Sequence, residues 1–156
     1  MMQNNHRDGQ TLIETALALI ILLTITLGGI EFARAWYVKN SLKNAVRHGV
    51  RLAVVTSGIT ELTGQACGNS CPAPTPATTS NEIIDAVCCS PGVPNDANTS
   101  VDLRFTDDDS SGGLNAGDTV TVTVTYSKSD FFVVGNSPWP WSRGITMITD
   151  ASMRYE

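Results

Sequence analysis

From Thr15 to Ile30 the chain carries no charged residue, and Leu17, Leu19, Ile20, Ile21, Leu22, Leu23, Ile25, Leu27 and Ile30 leave no polar face on the helix this run predicts. A helix that is apolar all round suits lipid, where each backbone polar group must be satisfied within its own segment. At about 1.5 Å per residue the run reaches ~24 Å, short of a hydrocarbon core of ~30 Å unless Leu12, Ile13, Phe32 and Ala33 are drawn in past Glu14 and Glu31. The span is marginal by itself. Beyond it the pattern turns amphipathic: Phe32, Trp36, Val38, Leu42, Ala45, Val46, Gly49, Leu52, Ala53 and Val54 recur at steps of three and four. Lys39, Lys43, Arg47 and Arg51 follow a four-residue spacing on another face, which reads as a solvated face or as a contact for acidic heads of neighbouring subunits. One helical pattern therefore runs from Gly9 to Val55, with Gly28 and Gly29 each costing about 1 kcal/mol relative to Ala and marking its weakest point.

From Ser57 to Pro76 the glycines, prolines, serines and threonines predict a loop. Thr79 followed by Glu82 predicts a capping box that opens a short helix running to about Cys88. Three later segments alternate with period two: Val101 to Phe105, Thr119 to Tyr126, and Ile145 to Arg154. They predict an antiparallel sheet of at least three strands whose Val120, Val122, Val124 and Tyr126 face covers the amphipathic helix while the threonines meet water. The fold class is α+β, a long N-terminal transmembrane and amphipathic helix followed by a small antiparallel β-sheet head. Between the last two strands, the aromatics of Phe131-Phe132-Val133-Val134 and Ser137-Pro138-Trp139-Pro140-Trp141 are expected to close the open end of a small core. The alternative is a contact patch formed by Trp139 and Trp141.

Charge divides the chain. Met1 to Thr56 holds six basic and three acidic residues, and Ser57 to Glu156 holds four basic and twelve acidic, so the two parts carry +3 and −8. An acidic head with scattered Arg104, Lys128, Arg143 and Arg154 argues against nucleic acid as a partner. Glu14 is the informative charge, because an ionised carboxylate at the edge of a membrane run costs several kcal/mol unless it finds a partner. Its plain alternative is a headgroup-level acid that complements the helix dipole.

Gly9-Gln10-Thr11-Leu12-Ile13-Glu14 resembles the processing site of type IV pilin-like prepilins, in which cleavage follows the glycine and a glutamate is the fifth mature residue. The continuation through Gly29-Ile30-Glu31-Phe32-Ala33-Arg34-Ala35, Val38-Lys39-Asn40 and Asn44-Ala45-Val46-Arg47-His48-Gly49-Val50-Arg51 resembles TadE-like minor pseudopilins of tight-adherence pili. Two departures are Thr15, where an aromatic residue often follows the glutamate, and His48, where the family commonly has an acidic or polar residue. The resemblance implies a leader at residues 1–9, a transmembrane and amphipathic helix at 10–56, and an extracytoplasmic head at 57–156. It implies a prepilin peptidase acting between Gly9 and Gln10, with Glu14 serving assembly. It also implies the membrane and other pilin and pseudopilin subunits as partners. The expected location is the cytoplasmic (inner) membrane, single-pass, with incorporation into a pilus. Counting basic residues around the span favours the opposite orientation; the resemblance and the cysteines favour a head outside the cytoplasm. Ala33-Arg34-Ala35 also fits a secretory signal cleaved before Trp36, but Glu31 and Arg34 sit badly in such a cleavage region.

Cys67, Cys71, Cys88 and Cys89 lie at the two ends of the excursion from Ser57 to Ser90, and four cysteines allow three pairings that the sequence does not choose among. Two disulfides stapling this stretch are expected in an oxidising compartment, since the spacing is poor for zinc. Asp107, Asp109, Ser111, Gly113, Asn115 and Asp118 match an EF-hand-like loop and are calcium candidates; the competing reading is a polar hairpin loop whose Asp and Gly serve turn geometry. No other cofactor is implied. His6 and His48 belong to no nucleophile and acid constellation, and there is no phosphate-binding glycine loop, so no enzyme is expected. Two functions remain: a structural subunit processed into a pilus assembly, and a static single-pass anchor presenting an extracytoplasmic binding or adhesion head.

Overall fold

The computed structural model describes residues 5–68, 71, 79–108, 110, 115–128 and 144–155, with side chains from Gly9 onward. Its elements follow the order α1 (Asn5–Val55), β1 (Leu62–Ala66), α2 (Ser80–Cys88), β2 (Thr99–Thr106), β3 (Thr119–Lys128) and β4 (Ile145–Arg154). The chain divides into two compact units, residues 1–35 and 36–156. The first is helical throughout its described residues, and its apolar side chains are exposed from Leu12 to Ile30. The α+β expectation holds: a long apolar N-terminal helix precedes an antiparallel sheet.

The second unit is built on a four-stranded sheet in which every strand pairs with its sequence neighbour, in the order β1-β2-β3-β4. The buried apolar face holds the sheet in one register, since a slip of one residue would turn the valines to solvent. Val101 pairs with Val124, Leu103 with Val122 and Phe105 with Val120, while Val122 pairs with Ala151 and Tyr126 with Met147. Val120, Val122, Val124 and Leu103 are fully buried. The covering layer comes from α1, through Leu42, Ala45, Val46, Gly49, Val50 and Ala53, and from α2, through Ile83, Ile84 and Val87. Each fully buried aliphatic side chain contributes about 1.5–3 kcal/mol relative to exposure. The layers meet closely at Gly49: a methyl group there would collide with the Val87 side chain and stand 3.6 Å from Val122 Cγ1.

Local chemistry fixes α2. The Thr79 amide donates to Glu82 Oε2 at 2.9 Å, so the predicted box closes the helix start. Ser80 ties that start to the chain leaving α1, its hydroxyl accepting from the Thr60 amide at 2.7 Å and donating to the Thr60 carbonyl at 2.9 Å. At the end of α1 the Thr56 hydroxyl donates to the Leu52 carbonyl at 2.8 Å, and Gly58 turns the chain at φ +75°. The Tyr155 hydroxyl reaches the Thr56 carbonyl at 3.4 Å, bringing the far end of the chain back to the helix terminus.

Several expectations need correction. The predicted loop from Ser57 to Pro76 contains β1, which pairs with β2 through Leu62 and Leu103, Gln65 and Val101, and Ala66 and Ser100, with a bulge between Leu62 and Gln65. Gly64 sits in that bulge at φ +63°, and its amide donates to Asp102 Oδ1 at 2.6 Å. This strand has almost no alternation of its own; its partner's ladder and the Asp102 carboxylate define it. β2 and β3 each extend two to three residues beyond the alternating cores at Val101 to Phe105 and Thr119 to Tyr126. The β3 threonines are half-buried rather than fully wet, because the neighbouring strands flank them on both sides. Phe32 and Trp36, expected on the buried stripe of α1, are 68% and 57% exposed. The covered positions of this stretch step through Glu31, Ala35, Val38 and Ser41, so Phe32 and Trp36 lie off the covered face.

Candidate functional site

The N-terminal part of α1 carries the residues expected to matter for processing and assembly. Gly9, Gln10 and Glu14 are all helical and all exposed, and among the described residues nothing outside the helix's own backbone lies within 4 Å of where a Cβ on Gly9 would stand. Among the described residues Glu14 has no hydrogen bond or ion pair, so its carboxylate faces outward at the start of the apolar run. Beyond it the helix consumes its own polar groups. Thr15 Oγ1 donates to the Thr11 carbonyl at 2.9 Å, Thr24 Oγ1 to Ile20 at 2.8 Å and Thr26 Oγ1 to Leu22 at 2.8 Å. Turned back on the preceding turn, these hydroxyls need no outside partner, which is what hydrocarbon demands. Glu31 is buried to 7% exposure with Arg34 Nη1 at 3.8 Å from its Oε1. Phe32, Trp36 and Tyr37 follow as exposed rings; aromatic side chains just past an apolar run suit the headgroup level of a bilayer.

The head contributes its own predicted residues. Cys67 bonds to Cys88 and Cys71 to Cys89, which resolves the three pairings into one. The two bridges differ in setting: Cys67 and Cys88 are 4% and 2% exposed within the core, whereas Cys71 is exposed and Cys89 half-buried. The adjacent pair at the end of α2 thus faces two ways, one sulfur into the core and one outward. Asn95 Nδ2 lies 3.1 Å from Cys71 Sγ.

Of the calcium candidates, Asp109, Ser111 and Gly113 lie outside the described residues, as do Trp139 and Trp141 of the contact patch and the Phe131 to Val134 run. Asp118 is 1% exposed, and its oxygens accept from two amides, Oδ1 from Asp108 at 3.1 Å and Oδ2 from Asn115 at 2.7 Å. The Asp108 carboxylate in turn accepts from Thr119 Oγ1 at 2.8 Å. Gly117, at φ +111°, donates its amide to the Tyr155 carbonyl, and the Tyr155 amide donates to the Asp118 carbonyl, both at 2.7 Å. Asp118 therefore ties the β2–β3 turn to the end of β4. Turn geometry is one of the two readings of this aspartate in the sequence, but nothing local marks its burial or its tie to Tyr155. Among the described residues no group of three or more His, Cys, Asp or Glu is arranged to hold a metal ion.

These features define a class: a chain whose described residues include one helix long and apolar enough to cross a membrane, followed by a disulfide-bonded antiparallel head. Residues 9–51 match the TadE family model, described as TadE-like protein, and this stretch of the chain is TadE-like. The match begins at the glycine of the processing pattern and covers the residues from which the resemblance was read. No curated protein and no solved structure matches the chain. The helix and the match over residues 9–51 are together consistent with a pilus-associated membrane protein.

Proposed function

We propose that this chain is a minor pseudopilin, a structural subunit of a tight-adherence type pilus or secretion assembly. It is held in the cytoplasmic membrane by α1 with its head outside the cytoplasm, and a prepilin peptidase cleaves it between Gly9 and Gln10. The observation that carries the reading is the family match from residue 9 to 51, which joins the glycine, Glu14 and the membrane helix in one TadE-like segment. The outward, unpaired Glu14 supports it: the amino group freed on Gln10 of one subunit would neutralise the Glu14 carboxylate of a neighbour and offset the burial of both charges. Two disulfides in the head support an oxidising compartment.

N-terminal sequencing of the protein from membranes and pili tests the processing step. A chain starting at Gln10 is expected; one starting at Met1 indicates a static anchor, and one starting at Trp36 a secreted protein. Glu14→Ala should leave cleavage intact while removing the chain from assembled filaments, and normal incorporation would reject the charge pairing. Orientation is read separately from the intact mass of protein isolated from native cells without reductant. It should be four hydrogens lighter than the reduced chain, whereas four free thiols would place the head in the cytoplasm.

A further inference from the structure

The basic stripe of α1 is the feature that neither the membrane helix nor the head core uses. Lys39, Lys43, Arg47 and Arg51 are all exposed, and among the described residues none makes an ion pair. Successive members stand four residues apart, so each repels the next; like charges at this spacing are unfavourable in a helix. Leu42, Val46, Val50 and Ala53 of the same segment are buried under the chain's own sheet and α2. That packing leaves the basic row outside. The complementary charge is present in the same chain, since residues 57–156 carry a net −8. Asp107, Asp108 and Asp150 are exposed on that head.

We propose that the exposed basic row of α1 is a docking surface for the acidic head of a second copy of this chain. Two different regions of one protein are then complementary, so the contact is heterologous, and a heterologous contact that does not close repeats into an open array. The row from Lys39 to Arg51 extends about 18 Å along the helix, longer than the screening length of ~8 Å at physiological salt. Several carboxylates must therefore approach it along its length, as a head lying alongside the helix would provide. This inference rests on the subunit reading above and specifies one contact within it.

The test uses the full chain in a neutral detergent or in phosphatidylcholine discs, with self-association followed by analytical ultracentrifugation at low and high salt. Salt-sensitive association is expected, weakened at least tenfold in an Arg47→Glu/Arg51→Glu variant, because complementary charge steers and registers such contacts. Both side chains are exposed, so the variant's melting curve should match the wild type; Arg47→Gln/Arg51→Gln serves if it does not. A mixing experiment separates the proposed geometry from general attraction. The variant keeps its acidic head and should still be captured by wild-type chain, while failing to capture itself. The inference is overturned if wild-type association ignores salt, if the variant self-associates normally, or if salt-sensitive binding appears only after anionic phosphatidylglycerol is added. Cleavage after Gly9 is measured on the same variant in cells. A processed chain with charge-insensitive association rejects the docking surface alone, whereas an unprocessed wild-type chain rejects the subunit reading itself.

Discussion

Leu17 to Ile30 and Leu42 to Ala53 belong to the same helix and both carry aliphatic side chains, yet they meet opposite surroundings. Leu19, Ile21, Leu23 and Ile25 are 52–68% exposed, whereas Leu42, Val46, Val50 and Ala53 are at most 1% exposed. The first segment has apolar residues on every side and polar groups satisfied within its own turns, so its solvent must come from outside the chain. The second has a single apolar face and relies on β2, β3 and α2 to cover it. The contrast teaches that helix formation and burial are separate problems: one continuous helical pattern serves both, and the distribution of charge around the helix decides which solvent each stretch requires.

That contrast can be broken most strongly inside the head. Replacing Cys67 and Cys88 together by Ala removes a bridge that also fills the core, and should cost about 2–5 kcal/mol of stability in thermal or denaturant melts of the full chain. The Cys71–Cys89 bridge, removed in the corresponding double variant, closes a loop of similar length, with a sequence separation of 18 against 21 for Cys67–Cys88. Chain entropy alone predicts nearly equal losses, so a clearly smaller effect for the outer pair would assign the difference to burial. Equal losses would deny burial any part.

Gly49→Leu comes next. Its side chain would be driven into Val87, and overpacking of this kind costs about 1–3 kcal/mol; the same substitution at Gly28, where nothing lies within 4 Å, should leave the head's melting unchanged. Should both variants melt alike, the close approach of α1 to α2 at Gly49 is wrong.

Asp118→Ala strips two amides of their acceptor and should cost about 1–3 kcal/mol, with Asp118→Asn intermediate. Calcium sharpens the reading: a wild-type melting temperature unmoved by millimolar Ca²⁺ leaves Asp118 as a turn-fastening residue, while a rise that Asp118→Asn abolishes restores the cation. The smallest effect is expected in the membrane segment. Thr24→Val and Thr26→Val remove hydroxyls that bond only within their own helix, so membrane insertion should change by less than ~1 kcal/mol. A large loss in either would reveal a partner outside the helix.

The sequence by itself determined the elements whose signals are local. The uncharged run from Thr15 to Ile30, the Thr79 and Glu82 cap, and the alternation of Val120, Val122 and Val124 each express a period or a side-chain reach confined to a few neighbours. The TadE-like stretch that begins at Gly9 was legible for the same reason. Tertiary structure alone decided what depends on distant partners. β1 exists because Leu62 to Ala66 finds the edge of β2 and Gly64 finds Asp102. The cysteine pairing follows from bringing the chain after β1 to the end of α2. Phe32 and Trp36 differ from Leu42 and Val46 because they lie off the covered face of α1, and Asp118 is buried where the Asp108, Asn115 and Tyr155 amides hydrogen-bond to it. Burial and pairing are properties of what arrives from elsewhere in the chain, and no local pattern records that arrival.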